Sequence, residues 1–218
     1  MLPTLQNAYQ YALENSDRIL TALQQHLLLV AVPLAIGLVV GLPLGWWSAR
    51  SRLVSTVMLN TFNALRVIPS LAVLFLAVPF LGLSFWSAVL ALTLLVMPPI
   101  LISTDVAFRN ISPAIREAAT GMGMPSGDIL KRVEIPLALP VVIAGIKTAA
   151  VEVIASATLA AFVGAGGLGV FIVLGFAVYD PAILLVGAVP VALLAFLAEV
   201  GLSALQRAAQ PPGVRQPL

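Results

Sequence analysis

Long apolar stretches separated by short polar ones dominate this chain. From Ile19 to Ala49 the sequence contains no Asp, Glu, Lys or Arg, and only His26 could carry charge. From Val67 to Thr104 there is no ionisable side chain at all. A membrane-crossing helix needs about 20 apolar residues, so the second run holds nearly two. The pattern predicts an all-α, polytopic membrane protein with five spans: 22–47, 54–80, 85–103, 137–162 and 182–205. The first 18 residues lack the basic start of a signal peptide. Leu2, Leu5, Tyr9, Ala12 and Leu13 follow helical spacing, which predicts a short interfacial helix.

Local signals refine the spans. Gly37, Gly41 and Gly45 are each four apart, placing three glycines on one helix face for close approach of another backbone. In span 2, Arg66-Val67-Ile68-Pro69-Ser70 predicts a kink or break, because Pro69 lacks an amide hydrogen and disfavours helical Ile68. Pro98-Pro99 is expected to distort the last third of span 3. The chain after Gln206 is Pro-rich and is expected to be loosely held.

Composition agrees: 61% of residues are hydrophobic, 9% are charged, and mean hydropathy is +1.08. The net charge of +2 comes from cations scattered between apolar runs, which fits topology signals rather than nucleic-acid binding. Cysteine is absent, so disulfides and thiolate metal sites are excluded. Arg50, Arg52, Arg109, Arg116, Lys131, Arg132, Arg207 and Arg215 fall on one side of the predicted spans, against Arg18 alone on the other. The positive-inside rule then puts the N-terminal segment 1–18 outside, and the loop 105–136 and the tail 207–218 in the cytoplasm.

The loop is a polar island. Ser112-Pro113 is a helix start, predicting a short helix over 113–122, with Gly121 and Gly123 ending it. A second short helix is expected over 128–133. Ala118, Ala119 and Gly123 are small enough to let a partner surface approach. Glu117-Ala118-Ala119, then Gly123, then Val133-Glu134-Ile135-Pro136 resembles the cytoplasmic signature of ABC importer permeases: E-A-A, three residues, G, nine residues, I-x-L-P. Val133 and Ile135 are conservative departures. RVIPSLAVL, GMGMPSGDILKRVEIPLALPVVIAGIKTA and ATLAAFVGAGGLG resemble the osmoprotectant branch, permeases for glycine betaine, choline, carnitine and related quaternary amines. The resemblance implies a fold similar to that of methionine-type permeases.

The resemblance implies a type I importer permease in which Glu117, Ala118, Ala119, Gly121, Gly123 and Pro136 couple the chain to ATP-binding subunits. It further implies two such subunits, a second permease copy or a paralogue, and an extracellular solute-binding protein. Ergothioneine, methionine or another amino acid are alternative cargoes. An ion-gradient-driven carrier is the rival from another class. No phosphate-binding G-x-x-x-x-G-K-[ST] motif occurs, so ATP hydrolysis is expected in partner subunits. No catalytic constellation, cofactor site or metal site is read from the residues.

Several polar residues inside spans are candidates for a pathway or gate. Lys147 and Glu152 lie ~16 Å and ~24 Å up span 4 from Pro136, and intramembrane charges face a bundle interior or a cavity. They are too poorly spaced to pair on one helix, so each is expected to find a different partner. A structural pair or a snorkelling lysine is the competing explanation. Asn63, Arg66, Pro69 and Ser70 mark the break in span 2, where exposed backbone needs protein or water. Arg66 would repel a cationic cargo unless neutralised. Gly164, Gly166, Gly167 and Gly169 fit G-x-G-x-x-G. A dinucleotide fingerprint needs a preceding strand, whereas a membrane helix precedes them here. They are expected either to pack against a neighbouring helix or to form part of an outer gate. With three Trp and three Tyr, aromatic recognition of a methylated ammonium is expected in the separate binding protein.

Overall fold

The computed structural model describes residues 2–210, and every described element is helical. Helix α1 (Leu2–Glu14) is the amphipathic segment that the spacing predicts, and it turns at Asn15 into the 33-residue α2 (Ser16–Ser48). The following helices are α3 (Arg52–Leu65), α4 (Ser70–Leu81), α5 (Phe85–Arg109) and the short α6 (Pro113–Gly121). Helix α7 (Ser126–Ile129) passes through a π turn (Leu130–Glu134) into α8 (Ile135–Ser156), which tightens to 3-10 over Ala157–Val163. Helices α9 (Gly169–Ala177) and α10 (Pro181–Ala208) complete the chain.

Four helical stretches are long and apolar enough to cross a membrane: α2, α5, the continuous run Ser126–Val163, and α10. A fifth crossing exists if α3 and α4 count as one span, and these meet at 89°. The predicted break therefore takes the form of a right-angled bend. Pro69 has extended ψ and precedes α4, while Ala72 and Val73 donate to its carbonyl.

Helix α5 is the axis of the fold, packed between α2 and α8. Leu29, Leu92, Val96, Ile100, Ala149 and Val153 make the dry centre. The glycine face of α2 is the contact surface: a Cβ on Gly37 would lie 2.7 Å from Val96, and one on Gly45 would lie 2.6 Å from Thr104. Gly145 of α8 makes the matching approach to Ser103 and the Pro99 carbonyl. The helices sit as close as their backbones permit, and packing of this kind holds helices together where lipid removes the hydrophobic drive.

Three expectations change. Span 3 does not end before Asp105; α5 continues through Pro98, Pro99 and Asp105 to Arg109, because Asp105 is neutralised and hydrogen-bonded inside the bundle. The irregular part of the island shrinks accordingly. The expected second island helix is not separate, since its residues form the α7–π run at the base of α8. Helix α9 was not anticipated: GVFIVLGFA is too short to span and is bounded by Gly169 and Val178. Residues 211–218 of the Pro-rich tail lie outside the described residues.

Candidate functional site

The island is a projecting helix on a stiff mount. Pro113 opens α6 with its missing N–H at a position that needs none. Ser112 precedes it, but its hydroxyl makes no capping bond. At the other end Gly123 adopts φ +81°, and the Gly123 and Met124 amides donate to Thr120 O and Ala119 O. That reversal needs a left-handed residue, which is glycine's province. Glu117, Ala118, Gly121, Gly123 and Pro136 are all exposed, with open space above both glycines. Ala119 differs: it is 2% exposed and faces its own bundle. The surface that α6 presents outward is therefore Glu117–Ala118–Gly121–Gly123, and Ala119 is its anchor.

The mount is ionic. Arg116 of α6 donates from Nε to Glu134 Oε1 at 2.6 Å and from Nη2 to the Phe108 carbonyl at 2.8 Å. Arg50, just after α2, donates to Glu134 Oε2 at 2.8 Å and lies over the Trp46 ring. Glu134 is 2% exposed, aimed inward by the π turn. One carboxylate thus joins α6, the end of α2 and the base of α8. A second buried carboxylate, Asp105, accepts from Ser48 (2.8 Å), Ser55 (3.0 Å) and Arg109 (2.9 and 3.1 Å). This second joint ties α2, α3 and α5 together.

A cavity of about 510 Å³ opens beside the bend, lined by α4 and α5 with Arg66, Ser70 and Glu152 at its polar part. Arg66 Nη2 donates to Glu152 Oε1 at 3.3 Å. Their side chains are 45% and 35% exposed, so in isolation the pair contributes only ~0–1 kcal/mol. The volume lies in the usual ligand-site range of roughly 300–1,000 Å³. Phe80, Leu76 and Ile68 supply apolar wall.

The pathway candidates separate into three places. Arg66, Ser70 and Glu152 share the cavity; Asn63 and Pro69 are exposed and do not line it. Lys147 turns to a different face, where Nζ donates to Glu199 Oε1 (2.8 Å) and Ser203 Oγ (3.1 Å) of α10. Lys147 and Glu152 thus take different partners. The glycine stretch packs at the start of α2: Gly164, Gly166 and Gly167 have φ of +70°, +80° and +83°. Gln25 accepts from the Gly167 amide at 3.1 Å, and Gly169 abuts the Thr158 backbone. His26 beneath it is buried, with Nε2 at 3.1 Å from the Ile154 carbonyl. Asp105 and Glu134, the residues that organise the island, were not singled out by the sequence reading. Their one local signal is the Asp105–Arg109 spacing of four.

A family model described as "Binding-protein-dependent transport system inner membrane component" matches residues 41–211. The carnitine transport permease protein OpuCB of Listeria monocytogenes is 37% identical, covering 93% of both chains. The glycine betaine/carnitine/choline permease OpuCB of Bacillus subtilis is 33% identical over 92% of this chain and 93% of its own. The osmoprotectant import permease OsmW of Salmonella typhimurium is 36% identical over 94% and 98%. In fold, the chain is similar to the methionine ABC transporter MetNI in an inward-facing crystal form, with TM-score 0.77 at 22% identity, over 91% of this chain and 99% of that one. These matches and the helical architecture agree: the chain belongs to the family of binding-protein-dependent transport system inner membrane components, a transporter subunit and not an enzyme.

Proposed function

We propose that this chain forms the translocation pathway of an ATP-driven importer for quaternary-amine osmoprotectants of the glycine betaine, carnitine and choline kind. One observation carries the cargo class: relatives named for those compounds are 33–37% identical over more than nine-tenths of this chain. The complex contains two ATP-binding subunits, a second permease copy or a paralogue, and an external solute-binding protein. The N-terminus is outside and α6 is cytoplasmic, a reading supported by the asymmetry of Lys and Arg.

Coupling runs through α6. An ATP-binding subunit grips the exposed Glu117–Ala118–Gly121–Gly123 surface, and its motion on nucleotide binding pulls α6. Arg116 and Glu134 pass that pull to α2 and α8 as a rigid unit, because the carboxylate is saturated and buried. The bundle then moves between inward-open and outward-open states.

Reconstitution with the partner ATPases and binding protein tests this. ATP-dependent uptake of glycine betaine is expected, and Gly123→Asp is expected to reduce it by about tenfold or more while membrane insertion persists. Uptake that runs on an ion gradient without ATPase would overturn the reading. The absence of native cysteine makes orientation testable with one introduced thiol. Gly121→Cys should react with an impermeant maleimide only in inside-out vesicles.

A further inference from the structure

The charged groups of this bundle differ in how completely they are satisfied. Both oxygens of Glu134 and both of Asp105 are occupied by arginine or serine donors. Lys147 has two acceptors, and Ser203 adds a donor to Glu199. The Arg132–Asp128 pair is looser still, at 3.8 Å, but lies exposed on the island; among the charges inside the spans Arg66 and Glu152 stand apart. They share one contact at 3.3 Å, and among the described residues neither side chain makes another hydrogen bond. Glu152 Oε2 and most of the guanidinium's donors are therefore free, and both groups line the same cavity. A single long contact between half-exposed groups is easily opened by something that satisfies both better.

We infer that the Arg66–Glu152 pair is a transient binding site for zwitterionic quaternary amines. The cargo opens the pair and lies between its members. Its carboxylate accepts from the Arg66 guanidinium, which can hold it through two parallel bonds. Its methylated ammonium has no N–H to donate, so it is held by charge against Glu152. Phe80 lines the same cavity further along α4. The site as a whole is neutral, so a neutral zwitterion replaces the internal pair without leaving a charge unmatched. A cation without a carboxylate satisfies Glu152 only by stranding Arg66 beside it. The permease thus favours betaine-like and carnitine-like cargo over choline, independently of the external binding protein. The inference rests on the importer reading above.

The test uses the whole transporter, permease with its ATP-binding subunits, in nanodiscs without binding protein. Equilibrium dialysis measures binding of glycine betaine, of choline, and of glycine betaine methyl ester, which keeps the ammonium and removes the anionic carboxylate. Glycine betaine is expected to bind about tenfold more tightly than either of the others, in keeping with the cost of an unmatched polar group. Arg66→Gln should bring betaine down to the choline level, Arg66→Lys should retain a preference for betaine, and Glu152→Gln should weaken both. The ester comparison needs no variant, so it decides the matter even if a substitution fails to assemble. Equal binding of betaine and its ester, no binding of either, or an unchanged betaine-to-choline ratio in Arg66→Gln would overturn the inference. ATP-driven uptake by the wild-type complex with binding protein present is measured separately. If uptake persists while the binding preference is absent, this site falls and the importer reading stands; if no quaternary amine is taken up, the importer reading falls.

Discussion

Glu134 and Glu152 both sit on the long helical run that starts at Ser126, and both face arginine, yet their surroundings differ. Glu134 is buried, bonded through each oxygen to a different arginine, and those arginines belong to α6 and the end of α2. Glu152 is one-third exposed, bonded once, and opens on a cavity. A saturated carboxylate in a dry setting fixes geometry, because removing any partner leaves an unmatched polar group. A half-satisfied one that opens on a cavity fixes little and remains available to a ligand. The same chemical pair thus makes a joint at one end of the helix and a site further along it.

The difference predicts an ordered set of stabilities. Glu134→Ala should have the largest effect, destabilising the purified complex by about 3 kcal/mol, read as a lowered unfolding midpoint. It should also lower the number of cargo molecules moved per ATP, since α6 loses its tie to α2 and α8. Glu117→Ala on the same helix is exposed and should change stability by less than about 0.5 kcal/mol. Gly45→Val comes next: its branched side chain collides with Thr104 and the Leu101 carbonyl and should cost about 2 kcal/mol through separation of α2 from α5. Ser55→Ala removes one of four donors to Asp105 and should cost about 1 kcal/mol.

The spans, the break at Pro69 and the contact face of α2 were legible because each is written locally: apolar length, a missing amide hydrogen, glycines four apart. The end of α5 was not, because an aspartate in an apolar run reads as the water boundary until its partners are known. Ser48 and Ser55 lie 57 and 50 residues away, and no spacing rule connects them. Glu134 was hidden differently, as the unspecified position of the signature around it. Arg66 and Glu152 each stood out singly as charges in apolar spans, but their contact spans 86 residues and depends on the right-angled bend. Helix α9 escaped because nine residues that follow a glycine-rich stretch and are too short to span look like a connection rather than an element.

The sharpest use of the comparison is a small number. Glu152→Gln removes the charge of a partly exposed pair that shares a single contact, so stability should move by no more than ~1 kcal/mol. The amide keeps the shape of the carboxylate and can still accept from Arg66, which limits the loss further. Chemical denaturation of wild type, Glu152→Gln and Glu134→Gln, monitored side by side, measures this directly. A midpoint for Glu152→Gln that falls as far as that for Glu134→Gln would mean that the cavity pair braces the bundle as the island joint does. The distinction between a fixed joint and an available site would then have no physical basis. A midpoint that stays with wild type, while betaine uptake falls, separates the two carboxylates by what each is needed for.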